Sequence, residues 1–227
     1  MQVGTMSKIA IISDVHSNIH ALNKVLEEIG DMKIYCCGDL VGYNPFPNEV
    51  IEVIKGRDIV TILGNHDDAV ITGNTWYFNP IAARAVHWTR GVLTDENMDF
   101  LKSLPEFFKS EDFFMFHGSP RDQLNEYVSP DYPDGILKEF LKDVPTTLIL
   151  GHTHMPYIKK FDEKTIFNPG AVGQPRDYDP RAAYAIYDTE KHVVEIKRAE
   201  YDVDKVSNEI LEQGLPKQLA YRLHTGY

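Results

Sequence analysis

The sequence predicts an α/β fold built on a parallel sheet. Three observations carry that expectation. Short apolar runs at residues 9–12, 34–37 and 59–63 are separated by helical periodicity, which is a βαβαβ rhythm. Each run ends in a cluster of Gly, Asp, Asn or His, and open α/β sheets place their sites at strand carboxyl ends. The chain has 227 residues, 43% of them hydrophobic and 25% charged, enough to bury a core in one globular domain.

Taken in order, residues 8–13 read as a buried strand, because four apolar residues stand between polar ones. Residues 18–29 read as a helix: Ile19, Leu22, Val25, Leu26 and Ile29 recur at helical spacing and Gly30 suits the stop. A second strand covers 33–37 and a loop with two prolines follows Gly38-Asp39. A short helix opens at Pro47, and a third strand covers 59–63. From 68 to about 104 the pattern turns helical. Asn79-Pro80 opens one helix, and Thr94 opens another with a capping-box form whose acid, Glu96, is one residue short. This stretch interrupts the strand rhythm and is expected as a cap over the site. Strands resume at 113–116 and 146–150. Hairpins follow at 157–167, around Asp162-Glu163-Lys164, and at 182–199. Residues 203–223 read as helical with a break at Gly214-Leu215-Pro216. Their leucines are expected either to pack on the sheet or to form a homodimer contact.

A formal net charge of −11 argues against a general nucleic-acid surface, which needs clustered Lys and Arg. The only cysteines, Cys36 and Cys37, are adjacent in an apolar run and read as buried thiols in a reducing, cytoplasmic compartment. No apolar run has transmembrane length and no signal-peptide pattern opens the chain. Met6 is an alternative start, the first five residues being expected to add nothing to the fold.

Asp14 and His16 stand two residues apart, so an extended backbone aims both side chains the same way. With Gly38-Asp39, Gly64-Asn65-His66-Asp67, His117-Gly118 and Gly151-His152-Thr153-His154 they make five clusters at five predicted strand ends. These hold five of the nine histidines. His20, His87, His192 and His224 lie outside and are read as structural. Carboxylate, imidazole and amide oxygen together form a borderline-hard donor set, suited to manganese, iron or zinc.

This order of motifs, D-x-H, G-D, G-N-H-D, a lone H and G-H-x-H, resembles the calcineurin-like metallophosphoesterases. The resemblance implies a two-sheet αββα sandwich with a dinuclear centre. It also implies the ligands: Asp14, His16 and His154 on one ion, Asn65, His117 and His152 on the other, and Asp39 bridging both. Two divalent ions follow, manganese first, with iron, zinc or nickel as alternatives. A hydroxide held between them would attack phosphorus in line. His66, next to Asn65 but pointing away from the metals, is implied as proton donor to the leaving oxygen, or as a residue that only orients substrate. Asp67 either fixes the His66 tautomer or starts the next helix. Asn18 is a phosphate contact or a helix N-cap.

The resemblance has limits. Protein-phosphatase-like branches carry a second acid and an arginine after G-D; here Leu40-Val41-Gly42-Tyr43-Asn44-Pro45 stands there. The segment Asn168-Pro169-Gly170-Ala171-Val172-Gly173-Gln174-Pro175-Arg176 is similar to N-P-G-S-V-x-x-P-R of the small prokaryotic (YfcE-like) phosphodiesterase branch. Arg121 and Arg176 lie nearest the motif loops and are read as substrate-binding guanidinium groups, or as surface ion pairs. Trp76-Tyr77-Phe78 would stack a base or pack the cap's core; Arg84 and Arg90 would add phosphate contacts. The expected activity is hydrolysis of phosphodiester or pyrophosphate bonds in small, nucleotide-like substrates. A phosphomonoesterase and a catalytically silent scaffold are the alternatives.

Overall fold

The computed structural model describes residues 8–227, so the alternative start at Met6 and the segment before it lie outside the described residues. Two five-stranded sheets pack face to face with helices outside both. The first has the order β10-β9-β1-β2-β3, from β1 (Lys8–Ile12), β2 (Ile34–Cys36), β3 (Val60–Thr61), β9 (Ala182–Asp188) and β10 (Val193–Ala199). The second has the order β4-β5-β6-β8-β7, from β4 (Phe107–Lys109), β5 (Phe113–Phe116), β6 (Thr147–Leu150), β7 (Tyr157–Phe161) and β8 (Lys164–Asn168). Strands β1, β2 and β3 run parallel, as do β5, β6 and β8; the hairpin strands β4, β7, β9 and β10 join antiparallel. The expected αββα sandwich is the fold.

Strand β1 shows why the apolar runs have no polar alternation. Ile9 and Ile11 enter the core between the sheets with Tyr35, Cys37, Ile62, Met115, Ile149, Phe167 and Tyr187. Ala10 and Ile12 enter the opposite core, under the helices. A strand covered on both faces is apolar throughout. The adjacent cysteines divide in the same way, Cys36 facing the helices and Cys37 the other sheet. Both are free and buried.

Helix α1 (Ile19–Ile29) buries Ala21, Leu22, Val25, Leu26 and Ile29 against the first sheet, and α2 (Pro47–Gly56) buries Val50, Ile51 and Ile54. Strand β3 is shorter than expected. After Ile62, whose N–H still reaches Cys36, the Leu63 N–H turns to the Pro105 carbonyl at 2.7 Å and leaves the ladder. The helical stretch is α3 (Asn65–Thr72), α4 (Pro80–Val92) and α5 (Asp95–Lys102). Asn79 caps α4 and Thr94 caps α5 through the Asn97 N–H, each cap being worth about 1 kcal/mol. Arg84 and Arg90 donate to the carbonyls of Gly214 and of Val70 and Ile71, so both act at chain turns and helix ends rather than on phosphate.

Helix α6 (Asp134–Phe140) covers the second sheet through Leu137 and Phe140. The C-terminal helices α7 (Val203–Glu212) and α8 (Lys217–Leu223) do not lie on a sheet. Ile210, Leu215, Leu219 and Leu223 are buried against Ala82 and Ala85 of α4 and against Tyr43. Most of this apolar face is thus covered within the chain, with Leu211 left 41% exposed. No helix of the described residues is long and apolar enough to cross a membrane.

Candidate metal centre

The strand ends of both sheets converge on one buried cluster. Asp14, His16, Asp39, His117, His152 and His154 are all at most 5% exposed. The ligand atoms fall into two groups, the atoms within each lying within 4.8 Å of one another: Asp14, His16, Asp39 and His154 form the first, and Asp39, His117 and His152 the second. Asp39 belongs to both. Its Oδ2 stands 3.5 Å from His16 Nε2 and 3.4 Å from His117 Nε2. Asn65 Oδ1 joins the second group, 3.0 Å from His117 Nε2.

The backbone sets these side chains in place. Five of the converging residues, Asp14, His16, Asp39, His152 and His154, have φ between 46° and 66°. Left-handed conformations cost non-glycine residues about 1–3 kcal/mol each and are kept where the surrounding structure enforces them. Gly64 is required beside Asp39, because a Cβ there would come within 2.1 Å of Asp39 Oδ1.

Each carboxylate has one oxygen fixed and one unpartnered. Asp14 Oδ2 accepts from Ser13 Oγ at 2.6 Å and from the His152 N–H at 3.1 Å. Asp14 Oδ1 has no hydrogen-bond partner and lies 3.1 Å from His154 Nε2. Asp39 Oδ1 accepts from the His66 N–H at 2.8 Å, while Oδ2 is buried without a hydrogen-bond partner. The imidazoles are oriented by main-chain carbonyls. His16 Nδ1 donates to Val41 at 3.0 Å, His117 Nδ1 to Cys37 at 2.7 Å and His154 Nδ1 to Gln174 at 2.5 Å. His152 uses its other nitrogen, Nε2, on Asn125 at 3.2 Å. Such carbonyl bonds fix the tautomer and aim a bare nitrogen inward.

Burial pulls His16 and His154 well below the usual imidazole range and takes His152 down to about 3. His117 moves the other way. Burial alone would lower it, but the Asp39 carboxylate overrides burial and lifts it to about 9. Burial disfavours the Asp39 charge, yet His117, His66 and His16 hold its carboxyl well below the usual range. Neutral imidazoles at His16, His152 and His154 beside two unpartnered carboxylate oxygens are a donor set suited to cations, and the mixture of oxygen and imidazole fits divalent ions of the manganese, iron or zinc kind.

The cluster reaches a cavity of about 390 Å³ through Asn65 and His152. Asn65, His66, Phe78, His152 and Arg176 line it together with Tyr43, Tyr127 and Arg222, which the sequence reading missed. His66 sits with its ring 4.4 Å from Tyr43 and 4.7 Å from Phe78. Arg176 donates to the hydroxyls of Tyr127 and Tyr43 at 3.0 and 3.1 Å. Tyr43 is announced only by its place four residues after Asp39; nothing in the sequence ties Arg222 to the motifs.

Three expected site residues stand elsewhere. Asn18 is fully buried as the cap of α1, accepting from the Ala21 N–H and donating to Gly173, so no polar atom is left for phosphate. Arg121 lies apart from the cavity, its guanidinium bound to Glu126 and Tyr132. Asp67 does not touch the His66 ring: Oδ1 accepts from Val41 and Oδ2 from Gly64, which closes the start of α3. Burial and Asp39 raise its carboxyl to about 7. Trp76 and Tyr77 are 91% and 92% exposed rather than core; only Phe78 packs inward. His20, His87, His192 and His224 bond to Glu209, Thr75, Tyr187 and Asp204, away from the cluster.

A buried carboxylate–imidazole cluster at the strand ends of an αββα sandwich defines the metallophosphoesterase class. The chain belongs to the calcineurin-like phosphoesterase superfamily, whose domain model matches residues 7–192. An uncharacterized protein of Methanocaldococcus jannaschii is 38% identical, over 97% of this chain and 98% of its own length. The crystal structure of a metallophosphoesterase from Sphaerobacter thermophilus is 36% identical with a TM-score of 0.86, covering 97% of this chain and 99% of its own. A hypothetical protein from Pyrococcus horikoshii shares the fold at 23% identity and a TM-score of 0.89, covering 97% and 98%.

Proposed function

We propose that the protein is a phosphoesterase using two divalent ions, manganese first among them, on phosphodiester or pyrophosphate bonds of small, nucleotide-like substrates. The observation that carries this reading is the pair of buried, unpartnered oxygens, Asp14 Oδ1 and Asp39 Oδ2, each facing two imidazole nitrogens. In this reading Asp14, His16 and His154 hold one ion, Asn65, His117 and His152 the other, and Asp39 both. Ions bound there supply Lewis-acid stabilisation of phosphoryl oxygens and a water acidic enough to ionise at neutral pH.

The protein's own groups do the rest. Arg176 binds a phosphoryl oxygen, and the rings of Tyr43 and Phe78 fix His66. His66 Nδ1 is buried with no hydrogen-bond partner, which leaves Nε2 to reach the cavity. Burial lowers this imidazole to about 4. An anionic phosphate beside it would favour the protonated ring, and in this reading Nε2 delivers that proton to the leaving oxygen. Two free buried cysteines support a reducing, cytoplasmic setting.

The test is hydrolysis by protein stripped with chelator and then reloaded with manganese. Bis-p-nitrophenyl phosphate, p-nitrophenyl phosphate and diadenosine tetraphosphate are compared in parallel. Manganese-dependent cleavage of the diester or the dinucleotide over the monoester is expected. Cleavage of none of them with two ions bound, or of the monoester alone, would overturn the proposal.

A further inference from the structure

We propose that Arg222 of α8, with Arg176, forms an anion subsite for a second phosphoryl group, so that the substrate is a polyphosphate ester carrying a phosphoanhydride. This deepens the function proposed above and rests on it for the position of the scissile phosphate.

The two guanidinium groups share one aromatic ring. The Arg222 guanidinium carbon is 5.4 Å from the Tyr43 ring centroid and that of Arg176 is 5.9 Å away. The rings of His66 and His16 lie 4.4 and 4.5 Å from the same Tyr43 ring. The two positive charges are therefore one ring's width from the metal-ligand cluster, and both side chains line its cavity.

Their partners are unlike those of neighbouring arginines. Arg198 is bound to Asp177, Arg181 to Asp179 and Arg121 to Glu126. Neither Arg176 nor Arg222 makes an ion pair with an Asp or Glu side chain among the described residues; Arg176 donates to Tyr127, Tyr43 and Gln174, and Arg222 Nε to the Tyr227 backbone oxygen at 2.8 Å. Two half-buried like charges on one ring repel each other, and that is costly. Burial, and then Arg176, lowers the Arg222 guanidinium from its ordinary value, which is the mark of that cost. A phosphoryl group removes the cost, and its oxygens match the forked donors of guanidinium.

A simple diester has one anionic phosphate, which the cluster and Arg176 would hold. Arg222 would then face only a neutral leaving group. A phosphoanhydride places a second anion next to the scissile one, where both arginines stand. Exposed Tyr77 and Tyr127 on the same cavity leave its rim open to the remainder of such a substrate.

The test uses manganese-loaded protein with manganese in excess throughout. Inorganic tripolyphosphate binding is measured by isothermal titration calorimetry for the native protein, Arg222→Gln and Arg222→Lys. A thermal melt verifies that each variant is folded. The dissociation constant is expected to rise at least tenfold in Arg222→Gln, with Arg222→Lys recovering part of the loss. In turnover, kcat/KM for diadenosine tetraphosphate is expected to fall at least tenfold more than that for bis-p-nitrophenyl phosphate, mainly through KM. Tripolyphosphate affinity within twofold of native in both variants would overturn the subsite while leaving phosphoesterase activity intact. Arginine-dependent tripolyphosphate binding without hydrolysis of any ester would uphold the subsite and count against the catalytic reading alone.

Discussion

His16 Nε2 and His154 Nε2 face each other across 3.1 Å, and the Nδ1 of each ring is committed to a backbone carbonyl. Two nitrogens with inward lone pairs cannot bond to one another without a shared proton or cation. Burial keeps both imidazoles neutral, so protons do not serve. The fold therefore stores repulsion that a divalent ion relieves. Ion present at about a hundred times its dissociation constant stabilises by about 2.7 kcal/mol. For a chain of this size that is about 5–10 °C in Tm. Differential scanning fluorimetry after chelation should show a loss of this order, restored by manganese; an unchanged melt would contradict it.

Asp39 links the two ligand groups through one oxygen, with the other on the His66 N–H. Asp39→Asn keeps the volume and removes the charge. Metal content by mass spectrometry is expected to fall below that of the native protein, with affinity weaker by at least about tenfold. Retention of native stoichiometry and affinity would argue against a shared ligand.

His66 is the histidine of the motifs whose ring belongs to neither ligand group. His66→Ala should retain its metals and lose turnover by about 10²–10⁴-fold, the ordinary size of a general acid's contribution. Unchanged turnover would refute the proton-donor role.

Gly42 stands behind His66 with φ of 96°, and a Cβ there would approach His66 Nδ1 to 2.6 Å. Gly42→Ala is expected to cost about 1–2 kcal/mol through its left-handed backbone. It should also push the imidazole out of line, lowering kcat by about tenfold to a hundredfold with metals retained. A stable variant with native kcat would show that His66 tolerates displacement.

Cys36 and Cys37 are fully buried, and burial raises both thiols well above their ordinary range. Thiolate is the reactive form. Ellman's reagent should therefore find no thiol in the native protein and two after denaturation. Rapid labelling of the folded protein would place at least one of them at the surface.

The parts of this molecule legible in the sequence are those governed by short-range rules. Strand β1 and helix α1 follow from the spacing of their apolar residues, and the hairpins from their turns. Parallel strands put the carboxyl ends carrying Asp14, His16, Asp39 and Asn65 side by side on one sheet and those carrying His117, His152 and His154 on the other; that the two sets meet as one ligand set was legible only through the family resemblance. What was not legible depends on distant packing. Arg222 reaches the cavity only because Leu219 and Leu223 seat α8 against Tyr43 and α4. Asn18 and Asp67 carry polar groups suited to a site, yet the same groups satisfy free N–H groups at helix starts, and that local demand won. Arg121 is close to His117 in sequence, but Glu126, five residues on, holds it away. Strand β4 and helix α6 went unread, since three and seven residues carry too little periodicity.

The left-handed backbone at five of the converging residues has a consequence for adaptation. Their positions are set by the loops around them, so the cradle is a rigid mould rather than a flexible claw. A mould does not reshape itself for the ion it receives. Exchanging one divalent ion for another should therefore alter reactivity while leaving the architecture as it was.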